Sequence, residues 1–251
     1  MRRNEFLRKS VAIAGITSVP FSSTVISQKR RGAIELTDTI RMKELISSPT
    51  GKNWVFTGDS VTQGAKHTYG YRAYPEIFSE RIRWEMGRSS DFVINTAING
   101  NNSADLIKDF KRRVSRFSPS AVSVMLGIND CAYFPITEKI FKENLHKIIR
   151  EIRESDAIPL LHTPNRIDER PSKEYTSREK LGSYVEIVNE VANEAQTILI
   201  DNWKHWEAYD YLDWLDDSLH PNHSGHLEIA RRMFVALSIF DENSFCCTGN
   251  K

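Results

Sequence analysis

Four separated points of this 251-residue chain carry side chains able to do chemistry together. Ser60 lies in Gly58-Asp59-Ser60-Val61-Thr62-Gln63-Gly64, and Gly100 in Ile98-Asn99-Gly100-Asn101-Asn102. Asn129 lies in Gly127-Ile128-Asn129-Asp130, and Asp217 and His220 in Asp217-Ser218-Leu219-His220-Pro221. These residue types suit acyl transfer. A serine hydroxyl is a poor nucleophile until a neighbouring base takes its proton. An imidazole can do so near neutral pH, and a carboxylate on its other nitrogen fixes the tautomer and stabilises the imidazolium. Asp217 stands three residues before His220, so one loop can supply both groups; Asp216 is the rival acid, at a worse spacing. A tetrahedral oxyanion needs donors aimed at it. The Ser60 N–H, the Gly100 N–H and the Asn129 side-chain amide are the natural three.

Each point follows a short apolar run, which says what must position it. Asn53 to Thr57, Asp91 to Ala97, Ala121 to Leu126, Ala157 to His162 and Thr197 to Ile200 read as strands. Helical periodicity fills the intervals. One helix covers Ala73 to Met86, with Pro75 in its first turn. A second is capped by Asn102 or Ser103 and carries Leu106, Ile107, Phe110, Val114 and Phe117 inward. A third is capped by Thr137, with Ile140, Phe141, Leu145, Ile148, Ile149 and Ile152 on one face. The cleanest spans 178–195, and a last one starts near Ser224. Five strands alternating with helices indicate an α/β fold, a parallel sheet covered on both faces with right-handed crossovers. In such a sheet active residues gather at the carboxyl ends of the strands.

The blocks GDSVTQG, INGNN, GIND and DSLHPN resemble, in order, the four conserved blocks of the SGNH hydrolases, the GDSL-like lipases and esterases. The resemblance covers residues 53–235. It implies a flavodoxin-like three-layer α/β/α sandwich and hydrolysis of an ester or thioester with no metal and no other cofactor. By position Ser60 matches the family's nucleophile, Gly100 and Asn129 its oxyanion donors, and Asp217 and His220 its acid and base. The first block reads GDSVTQ rather than the fuller GDSL-type string. The second continues Gly100-Asn101-Asn102 where the family often has Gly-Asp-Thr, which keeps the glycine and makes Asn101 a candidate neighbour of the acyl pocket.

The rest of the chain bounds this reading. Apolar residues make up 40% and charged residues 27%, with net charge +1. That balance carries no electrostatic footprint for nucleic acid or an anionic membrane. Residues 1–27 combine a basic start with a short apolar run, the layout of a cleaved export signal, and Arg2-Arg3 suggests the twin-arginine type. Residues 28–51 then form an N-terminal extension with a short helix near Ile40 to Ile46, 52–240 the hydrolase domain, and 241–251 a polar tail. No other run reaches the roughly 18 apolar residues of a membrane helix, so no stable membrane insertion is expected. Cys131 reads as a small buried residue, while Cys246 and Cys247 sit in the tail, poorly placed to staple a core.

Further candidates flank the site. His67, Tyr69 and Tyr71 follow the serine loop, and Trp203, Trp206 and Trp214 precede the acid/base loop. His67, Tyr69, Trp214 and Arg166 are candidate substrate contacts, with Arg170 beside Arg166 in a charged surface loop. Asp59 and Asp130 read as loop-holding residues. His223 and His226 invite a metal reading with His220, against which stands the better role of His220. The expectation is a periplasmic or secreted esterase acting on an O-acylated, above all O-acetylated, carbohydrate. Its rivals are a lysophospholipase or acyl thioesterase with the same triad, and a non-catalytic carbohydrate-binding protein on the same fold.

Overall fold

The computed structural model describes residues 37–132 and 136–249; the expected export signal lies outside the described residues. Five strands, β1 (Asn53–Gly58), β2 (Phe92–Asn95), β3 (Ala121–Met125), β4 (Ile158–His162) and β5 (Ile198–Ile200), form one sheet. All neighbours are parallel, in the order β2-β1-β3-β4-β5. Chain order reverses at β1, which has β2 on one side and β3 on the other. A parallel sheet opens a crevice at such a switch point, beyond the carboxyl ends of the strands. Ser60 follows β1 and Asn129 follows β3, so the crevice lies where the sequence puts its chemistry.

Helices cover both faces because the strands alternate apolar side chains between them. Trp54 and Phe56 of β1 join α1 (Asp38–Ser47), α3 (Tyr74–Glu80) and α10 (His223–Ala236) through Met42, Ile77, Phe78, Ile229 and Met233. Val55 of β1 points the other way, into a second core with α4 (Ser103–Lys108), α6 (Glu138–Glu154) and α8 (Leu181–Glu194), through Leu106, Phe141, Ile148 and Val188. Each such side chain gains about 1.5–3 kcal/mol when fully buried, so the sheet is held from both sides. Short helices complete the chain: α2 (Ser60–Gln63), α5 (Phe110–Arg113), α7 (Lys173–Thr176), α9 (Asn202–Glu207) and α11 (Phe245–Thr248). No helix among the described residues is long and apolar enough to cross a membrane.

Three local expectations change. The helix expected over 102–117 is broken into α4, α5 and a 3₁₀ turn, Ser115–Phe117. Asn102 caps α4 in a reciprocal box with Asp105, but Asp109 and Val114 leave helical geometry. Ile140 of α6 lies on the solvent side rather than on the inward face. The C-terminal residues do not trail as a tail: Cys246 and Cys247 are buried in α11 against α10, with free thiols.

The break after α5 accompanies an inward turn of Arg113, which is only 2% exposed. Its guanidinium donates to the Thr57 hydroxyl (3.0 Å) and the Gly58 carbonyl (2.9 Å) at the end of β1. It also donates to the Thr96 carbonyl just after β2 (3.0 Å) and to Asn101 Oδ1 in the next loop (2.7 Å). One cation thus ties two strand ends and a loop together through four neutral acceptors. We predict that Arg113→Met, which keeps much of the volume and removes the donors, lowers stability by roughly 2–4 kcal/mol. Urea unfolding measures this, and an unchanged midpoint would contradict the tie.

Candidate active site

β1 ends in a glycine because nothing larger fits: a Cβ on Gly58 would lie 2.4 Å from the Met125 carbonyl oxygen of β3. The chain then turns sharply into α2. Asp59 caps it, its Oδ1 accepting the Val61 N–H at 3.0 Å, and Gly64 ends it in left-handed conformation. Ser60 is the first residue of α2, where no intrahelical carbonyl precedes its N–H. The hydroxyl and the N–H of one residue are therefore offered together at the carboxyl edge of the sheet.

The imidazole comes from the loop before α10. Leu215 and Pro221 bridge antiparallel, and the Asp216 N–H donates to the His220 carbonyl at 2.8 Å. Asp217 Oδ1 accepts the N–H groups of Leu219 and His220, each at 2.8 Å. His220 Nδ1 stands 2.9 Å from Asp217 Oδ2 and 3.0 Å from Oδ1. Its Nε2 stands 2.9 Å from Ser60 Oγ. With the carboxylate on one nitrogen, the neutral ring carries its proton at Nδ1 and turns a lone pair to the hydroxyl. Burial lowers the His220 pKa below its ordinary value, although Asp217 pulls the other way; charge on His67 and Arg178 adds to the lowering. Burial acts to raise Asp217, but the bonds from Leu219, His220 N–H and the imidazole outweigh it and hold the carboxyl below the usual range.

The donors gather from the neighbouring strands. Gly100 has φ +79° in a turn closed by the Asn101 N–H on the Ile98 carbonyl (3.2 Å). A Cβ there would meet no atom within 4 Å, so the space over this backbone is open. Asn129, after β3, spends one amide hydrogen on the Asn101 carbonyl (3.0 Å) and keeps the second. Asp130 braces the loop, its two oxygens accepting the Ser103 N–H (2.9 Å) and the Gly127 N–H (3.1 Å). Burial pushes the Asp130 carboxyl up to about 6, and burial with the nearby Asp130 pushes Asp59 up to about 7.

The remaining candidates divide. Asp216 Oδ2 goes to His67 Nδ1 (2.9 Å), not to His220. His67 stacks face to face on His220, centroids 3.8 Å apart and planes 4° apart. Tyr69 (77% exposed) and Tyr71 (66% exposed) stand on the same loop; Tyr71 lies over His223, and Asp216 holds the Tyr69 phenol above its usual pKa. Trp214 packs edge-on against Trp206 and beside His205 and Tyr209. Arg166 lies over the Trp203 ring and pairs with Glu169 and Glu207; Arg170 pairs with Asp168. Asn101 turns its side chain to Arg113 and gives Asn129 its carbonyl, which makes it a brace. Cys131 is half-buried, its thiol on the Ile128 carbonyl and pushed up to about 12 by burial. Arg113 and Arg178 were not singled out from the sequence; Arg178 sets a positive charge near Asp59 and His220.

The donor atoms of His67, Asp217 and His220 lie within 4.8 Å of one another, but they do not fit a metal. A zinc ion binds imidazole at about 2.0–2.1 Å, in the ring plane. With the rings parallel and 3.8 Å apart, an ion in one plane is out of reach of the other lone pair. His226 is buried with Nδ1 accepting the Tyr74 N–H, and burial pushes its pKa down to about 3, so it is a neutral packing residue.

A three-layer α/β sandwich with a hydroxyl, an imidazole and a carboxylate in series is the layout of a carboxylic ester hydrolase. Residues 56–227 match the model of the GDSL-like Lipase/Acylhydrolase family, and the chain belongs to that family. A relative named acetylxylan esterase, from Geobacillus stearothermophilus, is 26% identical over 209 residues, 72% of this chain and 92% of that protein. A crystal structure of an acetylxylan esterase from Geobacillus stearothermophilus superposes with TM-score 0.64 at 21% identity, covering 75% of this chain and 94% of that one. An alpha/beta hydrolase from the metagenome of Lake Arreo gives TM-score 0.65 at 19% identity, covering 77% and 98%. A Mycoplasma pneumoniae protein is 33% identical over 119 residues, 46% of this chain, and the match spans 13% of that protein's length.

A base must be neutral to accept a proton, and we predict that activity falls as His220 protonates. Because the folded protein holds its pKa below 6.5, the acid limb of kcat/KM should have its midpoint below pH 6.5, with the plateau above it. A limb centred at or above that pH, or no acid limb, would contradict the environment described for His220.

Proposed function

We propose that the protein is an exported serine esterase that removes acetyl groups from carbohydrate. The reading is carried by one observation, the unbroken series from Asp217 through both nitrogens of His220 to Ser60 Oγ. Ser60 Oγ attacks the acyl carbonyl while His220 Nε2 takes its proton. The oxyanion forms among the N–H groups of Ser60 and Gly100 and the second amide hydrogen of Asn129. His220 returns the proton to the departing sugar oxygen, leaving acetyl on Ser60. Water, deprotonated by the same imidazole, then releases acetate and restores the hydroxyl. Asp217 holds the tautomer and offsets the positive charge in both halves.

The substrate class draws support from three sides. The acetylxylan esterase relative matches over nearly its whole length. The backbone at Gly100 is open, with no atom within 4 Å of where a Cβ would stand, so an acyl group can approach its N–H. Exposed Tyr69, beside Asp216, and exposed Tyr71 on the same loop offer aromatic surface on which a sugar ring can lie. The basic and apolar start of the chain supports export to the periplasm or beyond.

Ser60→Ala and His220→Ala should each cut turnover by about 10⁴–10⁶, with an unchanged circular dichroism spectrum. Labelling by a fluorophosphonate probe should vanish in Ser60→Ala; near-normal activity in either variant would sink the mechanism. For the substrate, a series of aryl esters and acetylated xylo-oligosaccharides separates the readings. Acetate release and a sharp preference for acetyl over octanoyl are expected, and a preference for long acyl chains would overturn the carbohydrate assignment.

A further inference from the structure

We propose that His67, held by Asp216, is the positioning residue of this site: it covers one face of the His220 ring and fixes the plane in which the base works. The inference rests on His220 being the base. Asp217 grips the imidazole along one edge only, through Nδ1. A bond to one edge leaves the ring free to tilt about that edge, and tilting carries Nε2 away from Ser60. The parallel stack at 3.8 Å closes one side of that motion.

The stack is itself fixed by a closed circuit. Asp216 ties its N–H to the His220 carbonyl (2.8 Å) and its carboxylate to His67 Nδ1 (2.9 Å). His67 Nδ1 also stands 3.5 Å from Asp217 Oδ2. The loop bearing the base thus reaches across to the loop after α2 and clamps a ring over its own imidazole. His67 and Asp216 are mostly covered, whereas Asp217 is 44% exposed, so it is the stacked ring rather than the acid that keeps solvent from this face.

Other ionisable groups around His220 are Asp217 and Asp216 on its own loop, Arg178 before α8, and His226 on α10. The two carboxylates favour a protonated ring; Arg178 and covering by protein oppose it, and His226 stays neutral. His67 opposes it twice, by keeping water from the ring and by its own charge when protonated. Removing His67 therefore moves the acid limb of the activity to higher pH.

The test is a pH profile of kcat and KM for His67→Ala and His67→Phe, with aryl acetate as substrate. In His67→Ala the plateau kcat should fall about 10–100-fold with KM nearly unchanged, and the acid limb should rise. His67→Phe restores a flat ring without the charge, so it should recover most of the kcat and part of the shift. An Ala variant with wild-type kcat and limb overturns the proposal; so does a raised KM at wild-type kcat, which would make His67 a substrate contact. If His67→Ala fails to fold, Asp216→Asn loosens the clamp with the ring in place and must lower the plateau kcat with KM nearly unchanged, a wild-type kcat again being fatal. Loss of activity in Ser60→Ala beside an unaffected His67→Ala would sink this inference alone, whereas an active Ser60→Ala sinks the mechanism beneath it.

Discussion

The 2.9 Å contact between His220 Nε2 and Ser60 Oγ joins residues 160 positions apart, and most of the local structure around it can be understood as what that contact requires. A hydrogen bond weakens steeply as its geometry degrades, so two loops on separate elements must hold their positions within a fraction of an ångström. Ser60 meets this by standing directly on β1, whose end presses against β3 at Gly58. His220 meets it through a loop pinched by the Leu215–Pro221 bridge and by Asp217 bonds to two backbone N–H groups. Neither group relies on a long flexible side chain, and the donors at Gly100 and Asn129 are tied to the same frame through Arg113 and Asn101.

Three aspartates around this contact show how environment assigns roles. Asp59 and Asp130 are buried, and the few backbone bonds each accepts do not offset desolvation, so their pKa values rise to about 7 and about 6. Asp217 is half-exposed and gathers three donors, so it is pulled the other way. Only a reliably ionised carboxylate can stabilise an imidazolium. The two buried acids are left to bracket backbone N–H groups at the ends of β1 and β3. Asp216, next in sequence to Asp217, faces His67 instead.

The fold was legible because a parallel sheet buried on both faces writes its strands as continuous apolar runs, and here each run is short and clearly bounded. The series Ser60–His220–Asp217 was legible because each member follows an element and stands beside a turn former. What escaped was set by tertiary contact. Arg113 sits at i+3 from Phe110, on the apolar stripe, but a charge on a stripe usually marks its edge. Only acceptors at the end of β1, just after β2 and in the loop at Asn101 make it a buried tie. Cys246 and Cys247 looked like tail residues because their partner surface, α10, is defined by packing rather than by local pattern. Asn101 and Arg166 are offered by the sequence as candidate substrate contacts; the structure gives their side chains protein partners, Arg113 for Asn101 and Glu169, Glu207 and the Trp203 ring for Arg166, of which only Glu169 is a near neighbour in sequence.

The aromatic residues give the sharpest sorting. In sequence, Trp203, Trp206 and Trp214 crowd the acid/base loop, and Tyr69 and Tyr71 follow the serine loop. In space, the tryptophans spend their faces on Arg166, on one another and on His205. A ring whose face is already covered has little left to offer a sugar. Tyr69 and Tyr71, on the loop that carries His67, keep theirs largely exposed. The segment that carries the ring stacked on His220 is therefore also the one with exposed aromatic surface. On the reading proposed above, two tasks fall to different side chains of the same short stretch after α2, alignment of the imidazole to His67 and contact with the alcohol to the tyrosines. A change at His67 therefore acts on turnover and a change at a tyrosine on binding, whereas Trp214 packs against α9.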